Sequence, residues 1–215
     1  MITSRSRRRA AAVTLSVTAL LVPASATEAA PSPARAVPAS SPAHAAPAVA
    51  LAAAPSCPIV ADELFAAADR RVQVERITPK PSWRVSCGQL YRADNRAPEL
   101  IFKEGFHPKA TLDGQYDIEK YVLKNQPSPY VSTSYDHDLY KQWKSGFNYY
   151  IDAPAGVDVN KTIGATHKYA SQQEVAFPGG IASKYIVGAC PVDTVKKTED
   201  MSECVDNPNY VPWRN

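Results

Sequence analysis

The sequence predicts an α+β domain built around antiparallel sheet, and three observations carry that prediction. Apolar and polar residues alternate in runs of four to seven residues (CGQLYR, YVSTS, FNYYI, EVAF, KYIVGAC), the length and period of short strands. Helical spacing of apolar residues occurs only in short segments between them. The two kinds of segment follow one another without a regular βαβ rhythm, which argues against a parallel sheet, and no repeat of solenoid period is present.

The chain opens MITSRSRRRAAAVTLSVTALLVPASATEAA. Arg5, Arg7, Arg8 and Arg9 precede an apolar run from Ala10 to Leu21 and an Ala24-Ser25-Ala26 cleavage pattern, which makes residues 1–26 a secretory signal peptide. Its apolar run falls short of the roughly 20 residues that span a bilayer, and no later stretch approaches that length, so the expected product is secreted and makes no membrane contact. Residues 27–56 hold six prolines between Ala30 and Ser56 and almost no charge, the composition of an extended, disordered Pro/Ala-rich linker. Folding is expected from Cys57, leaving residues 57–215 as one domain with its own core.

Setting aside Arg5, Arg7, Arg8, Arg9, Arg35 and Glu28 turns the formal charge of +3 for the whole chain into about −1 for the domain. That balance argues against affinity resting on nonspecific phosphate contacts. All four cysteines, Cys57, Cys87, Cys190 and Cys204, fall in the domain. Export places them in an oxidising compartment, and their spacings match neither a zinc pattern nor a CxxC redox pair. Of the three possible connectivities, Cys57 with Cys87 and Cys190 with Cys204 close the shortest loops at the least entropy.

Within the domain, Asp62–Arg71 (DELFAAADRR) is Ala-rich with Leu64, Phe65 and Ala68 on one face, predicting a first helix that the TPKPS run from Thr78 ends. Cys87–Arg92 alternates as a strand and ADNRAP follows as a turn. Asp117–Lys124 places Ile118, Tyr121 and Val122 at helical spacing behind Asp117 as N-cap. Pro127 and Pro129 break that helix before a strand at Tyr130–Ser134. A short helix over Asp138–Lys144, a strand at Phe147–Ile151, a loop around Pro154 and Gly156, a half-buried strand from Glu174 and a last strand at Lys184–Cys190 complete the domain. Gln172 and Glu174 stand two apart at the mouth of that half-buried strand, so their side chains share one face. They then either grip a polar ligand together or sit as a solvated strand end.

No nucleophile stands out: GxSxG, the P-loop and GxGxxG are all absent. His44, His107, His137 and His167 are scattered singly, and in Asp136-His137-Asp138 helix capping is the expected job, so no metal is expected. Three polar islands on strands remain: Arg92, the run Ser132-Thr133-Ser134, and Gln172 with Glu174. Each also has a plain reading, as a surface ion-pair partner, edge-strand filler and a solvated carboxylate.

In this order, the islands resemble the Arg, Ser-Thr-Ser, Gln-x-Glu signature of mono-ADP-ribosyltransferases. The runs NQPSPYVSTSYDHDLYK and EVAFPGGI, with the cysteine layout, extend the resemblance over nearly all of Cys57–Trp213, to the Scabin-like and pierisin-like guanine-modifying enzymes. The resemblance implies two small antiparallel sheets packed across each other with flanking helices. It also implies NAD as co-substrate, without a metal, and a guanine in nucleic acid, guanosine or a guanine nucleotide as acceptor, handled by a monomer.

On that resemblance Glu174 is the catalytic carboxylate, stabilising positive charge on the ribose as nicotinamide leaves. Arg92 binds the NAD diphosphate, with Arg96 as a second candidate. Ser132 orients Glu174 and the ribose, with Thr133 and Ser134 holding the strand beneath. Asn125, Trp143 and Lys144 join the NAD site, the last two on a loop that closes over it. Gln172 holds the guanine edge, since an amide both donates and accepts, and Tyr169 stacks on the base. Two features depart from the pattern. Tyr169 stands where a tryptophan is expected, and YKQWKSG lacks an aromatic between Trp143 and Lys144, so the closing loop is one residue shorter. Alternatives are an NAD glycohydrolase, an asparagine-directed transferase and, outside enzymes, a disulfide-stapled binding module.

Overall fold

The computed structural model describes residues 57–214, so the signal peptide and linker expected over 1–56 lie outside the described residues. Eight strands form the sheet: β1 (Leu90–Asp94), β2 (Tyr130–Ser134), β3 (Phe147–Ile151), β4 (Val157–Asp158), β5 (Glu174–Pro178), β6 (Ile186–Asp193), β7 (Thr198–Glu199) and β8 (Val205–Asp206). Three short helices accompany them: α1 (Pro98–Glu104), α2 (Ile118–Lys124) and α3 (Val159–Ile163). Every pairing is antiparallel, in the order β4-β5-β2-β1-β3-β6-β7, with β8 also against β6.

That order conceals a joint. β2 pairs with β5 over five positions and β1 with β3 over five, but β1 meets β2 only at Tyr91 opposite Ser134. The strands thus fall into two antiparallel groups, β4-β5-β2 and β1-β3-β6, hinged on one residue pair, as the predicted two-sheet α+β fold requires. Alternation along β2 and β5 feeds two cores. Val131, Val175 and Phe177 join Leu90, Phe106, Tyr149, Ile151 and Ile186, while Tyr130 and Ala176 join Ile118, Val122, Val157 and Val159 under α2 and α3. β5 is therefore buried along its whole length, not half-buried as its alternation suggested.

Local expectations held where the signal was strong. β2 spans Tyr130–Ser134 and β3 Phe147–Ile151, residue for residue, and Asp117 caps α2 by accepting from the Lys120 N–H at 2.9 Å. Asp136 caps a 3₁₀ turn at His137–Gln142, where a short helix was expected slightly later. Both disulfides pair as loop entropy favoured, Cys57–Cys87 and Cys190–Cys204. Closing loops of 30 and 14 residues, each contributes on the order of 3 kcal/mol.

The helix expected over Asp62–Arg71 is absent; the segment runs as successive turns. Its polar groups have better partners. The Asp62 carboxylate accepts from the Leu64 N–H, Asp69 captures the Arg71 N–H and guanidinium, and the Asp69 N–H and the Ala66 carbonyl bond across to Gly179 and Ala182. Ala66 is packed into the core against that segment. Conversely, α1 begins at Pro98, the last residue of the ADNRAP run read as a turn, and β1 takes in that run's first two residues. The signal is present, with Pro98 at the first helical turn and Gly105 past the end at φ 79°.

Candidate functional site

The hinge between the two strand groups opens into a cleft of about 320 Å³, walled by β1, β2, the end of α2, the 137–145 segment and the turn before β5. Arg92 crosses the joint. Its Nη1 donates to the Ser132 carbonyl at 2.7 Å, supplying a link where the ladder has lapsed, and its Nε and Nη2 lie 3.2 and 3.0 Å from Asp94 Oδ2. Burial pushes the Asp94 carboxyl up, but hydrogen bonds from Arg96 and the nearby Arg92 charge outweigh it and hold the group well below the usual carboxylate range. The guanidinium is thus fixed in direction while lining the cleft.

Glu174 begins β5 and is only 8% exposed, which rules out the solvated-strand-end reading. Burial raises its pKa, against the hydroxyls of Ser132 and Tyr121 and the Arg92 charge, which favour the carboxylate. Tyr121 donates to Glu174 Oε1 at 2.8 Å. Its own pKa is driven far up, by burial first and then by the Glu174 charge, so it remains a donor throughout the useful pH range. The sequence reading placed Tyr121 only on a helix face. Its position four residues before the cleft-lining Asn125, on the turn that faces β2, was the available signal.

Gln172 lines the cleft with Glu174, but not by the i, i+2 geometry of a strand. It ends a 3₁₀ turn, Ala170–Gln172, and Gln173 follows in the left-handed region at φ 46° before β5 begins. Ser134 secures that turn: its hydroxyl donates to the Gln172 carbonyl at 2.6 Å. The Ser134 hydroxyl thus acts on Gln172, while its backbone stands opposite Glu174 in the β2–β5 ladder. Thr133 lines the cleft and bonds the Val175 carbonyl across the ladder at 2.9 Å. Tyr169, with Lys168 Nζ 4.5 Å from its ring centre, forms the adjacent wall, and Asn160 anchors this loop through the Ala170 carbonyl and His167.

Asn125, at φ 49° beyond α2, and Trp143, 51% exposed, also line the cleft. Arg96 and Lys144 do not. Arg96 is held by Asp94 and lies over the Phe106 ring at 5.3 Å, while Lys144 is exposed beyond Trp143. Arg96 stays beside Arg92, sharing Asp94 and the Phe106 ring with it, but is not among the cleft-lining residues. Tyr91, Tyr140 and Asn148, which carried no recognised pattern, also line the cleft.

Tyr121→Phe keeps the packing on Tyr130, whose ring centre is 5.0 Å away, and removes only the bond to Glu174. The carboxylate loses a stabilising donor, so its pKa rises. The Glu174 carboxyl titration, followed by NMR, is expected to move to higher pH. An unmoved titration would remove Tyr121 from the site's electrostatics.

The family described as Scabin-like matches residues 90–210, from β1 to beyond β8. A guanine-specific ADP-ribosyl transferase of Streptomyces coelicolor is 68% identical over 162 residues, covering 75% of this chain and 79% of the relative. Pierisin of Pieris brassicae is 37% identical over 114 residues, 47% of this chain but 13% of that protein. Scabin toxin from Streptomyces scabies, solved in complex with NADH, superposes with a TM-score of 0.74 at 67% identity, covering 75% of this chain and 99% of that one. Every cleft-lining residue described above lies inside the matched span: the chain belongs to the Scabin-like family.

Proposed function

We propose that this protein cleaves NAD and transfers its ADP-ribose to the exocyclic amine of guanine, in DNA or in guanosine and guanine nucleotides, releasing nicotinamide. The observation that carries the reading is the buried Glu174 carboxylate, bound by Tyr121 and facing a cleft it shares with Gln172 and Arg92. The curated relative named for guanine-specific ADP-ribosyl transfer and the Scabin complex with NADH support the same chemistry.

The bond between the ribose anomeric carbon and the nicotinamide nitrogen breaks, and its electron pair leaves with neutral nicotinamide. Positive charge develops on the ribose ring, where a fixed carboxylate in a water-poor site stabilises it most. Glu174 has that role, with Ser132 and Tyr121 keeping it oriented and ionised. Arg92 takes the diphosphate as a cation already locked by Asp94. The guanine amine then attacks the anomeric carbon and gives its proton to solvent, while Gln172 holds the base edge and Tyr169 stacks on it. Residues 1–26 serve export, residues 27–56 are a tether, and residues 57–215 are the catalytic domain, a disulfide-bonded unit suited to an oxidising compartment.

Mass spectrometry of the purified protein incubated with NAD and either guanosine or duplex DNA tests this. The expected product is a guanine adduct carrying one ADP-ribose. Nicotinamide release without an adduct points to the glycohydrolase or to a protein target, and no NAD turnover would overturn the enzymatic reading.

A further inference from the structure

The Asp136-His137-Asp138 run remains outside the chemistry above, yet its histidine has a distant partner. His137 Nε2 lies 2.8 Å from Oε2 of Glu199, a residue of β7 whose side chain is 4% exposed. Glu199 also accepts from Asn148 Nδ2 at 2.9 Å and from the Tyr150 hydroxyl at 3.1 Å to each oxygen. The His137 ring stands edge-on to Tyr91 at 4.9 Å and to Tyr140 at 5.7 Å. On its other side, His137 Nδ1 is 3.0 Å from Asp138 Oδ1, and Lys141 engages Asp138 Oδ2.

Every partner of this carboxylate leads to the cleft. Asn148 lines it directly, Tyr91 lines it beside the edge-on Tyr150, and His137 opens the turn that delivers Leu139, Tyr140 and Trp143 to its wall. Glu199 comes from the opposite edge of the sheet, within the loop that Cys190–Cys204 closes. A carboxylate so buried is costly unless several donors satisfy it, and here the donors come from two separate elements. The turn is a six-residue 3₁₀ helix, whose hydrogen-bond geometry is poorer than that of an α-helix, so such contacts help to place it.

We propose that Glu199 is a positioning residue for the NAD site, clasping the 137–143 segment to β3 through His137 and Asn148. The proposal rests on the reading of this cleft as the NAD site. Glu199 touches no reacting atom and acts by presenting Tyr140 and Trp143 at a fixed distance from Arg92 and Glu174, so its loss weakens NAD binding more than turnover.

The test compares the full chain with Glu199→Gln, His137→Gln and the double variant. Two readouts are taken: steady-state nicotinamide release, and amide hydrogen exchange without NAD. Glu199→Gln is expected to raise KM for NAD about tenfold while kcat changes less than about threefold. Exchange should quicken about tenfold over residues 137–143 and stay unchanged in β2 and β5. His137→Gln, changed at a partly exposed side chain, reproduces the effect should the buried substitution fail to fold. The double variant should be no worse than the more severe single one. Unchanged exchange over 137–143, additive single effects, or a loss confined to kcat would each overturn the clasp. Absent NAD turnover in the unmodified protein would overturn the enzymatic reading instead, while exchange still decides whether Glu199 holds the segment.

Discussion

Glu174→Gln is expected to abolish nicotinamide release and ADP-ribose transfer together, each by at least about 10³-fold, because the side chain that meets the developing ribose charge becomes neutral. The amide has nearly the same volume, and its oxygen still accepts the Tyr121 hydrogen bond. Stability should move the opposite way. Burial raises the Glu174 pKa, so near neutral pH the folded state carries a charge it would prefer to lose. Removing that charge is expected to leave the melting temperature unchanged or to raise it, by roughly 1 kcal/mol in stability. Loss of activity with an intact or higher melting temperature identifies a carboxylate kept for chemistry at a structural cost. Retained activity would remove Glu174 from the mechanism, and a protein that unfolds on this change would make it a structural residue instead.

Gln172→Ala is expected to divide the two reactions. Transfer to guanosine should fall by about 10²-fold, because the acceptor loses the group that orients it, while hydrolysis by water, which needs no such orientation, changes less than about threefold. Nicotinamide reports the sum and the guanosine adduct reports transfer, so both come from one incubation. The backbone at Gln172 is held independently, by Ser134 on its carbonyl and by its own N–H on Tyr169. Truncating the side chain therefore leaves the turn in place. Equal loss of both activities would place Gln172 with Glu174 in handling NAD and end its role in the acceptor.

The two variants also separate the positions in the signature that the fold treats differently. Glu174 is strand, buried and paired opposite Ser134 across the β2–β5 ladder. Gln172 lies in a turn whose direction is set by the left-handed Gln173. Two residues apart in sequence, they reach the cleft through unrelated backbone geometries.

From the sequence alone, the α+β class, β2 and β3, the Asp117 cap and both disulfides were legible, while the family resemblance singled out Arg92, Ser132, Gln172 and Glu174, which share the cleft. Strand alternation, capping and loop closure depend on spacing along the chain, and spacing is what a sequence displays. The tertiary structure alone decided the rest. Asp62–Arg71 forms turns because Gly179 and Ala182, more than a hundred residues away, take its backbone partners. β5 is buried on both faces because α2 and α3 cover one side and the second strand group the other. Tyr121 reaches Glu174, and Glu199 reaches His137, only once the sheet has folded. Arg96 shares Asp94 with Arg92 but is not among the cleft-lining residues. The physical reason is the same in each case: a buried polar group takes whichever partner folding brings within hydrogen-bond distance, and the local pattern holds no record of who that partner will be.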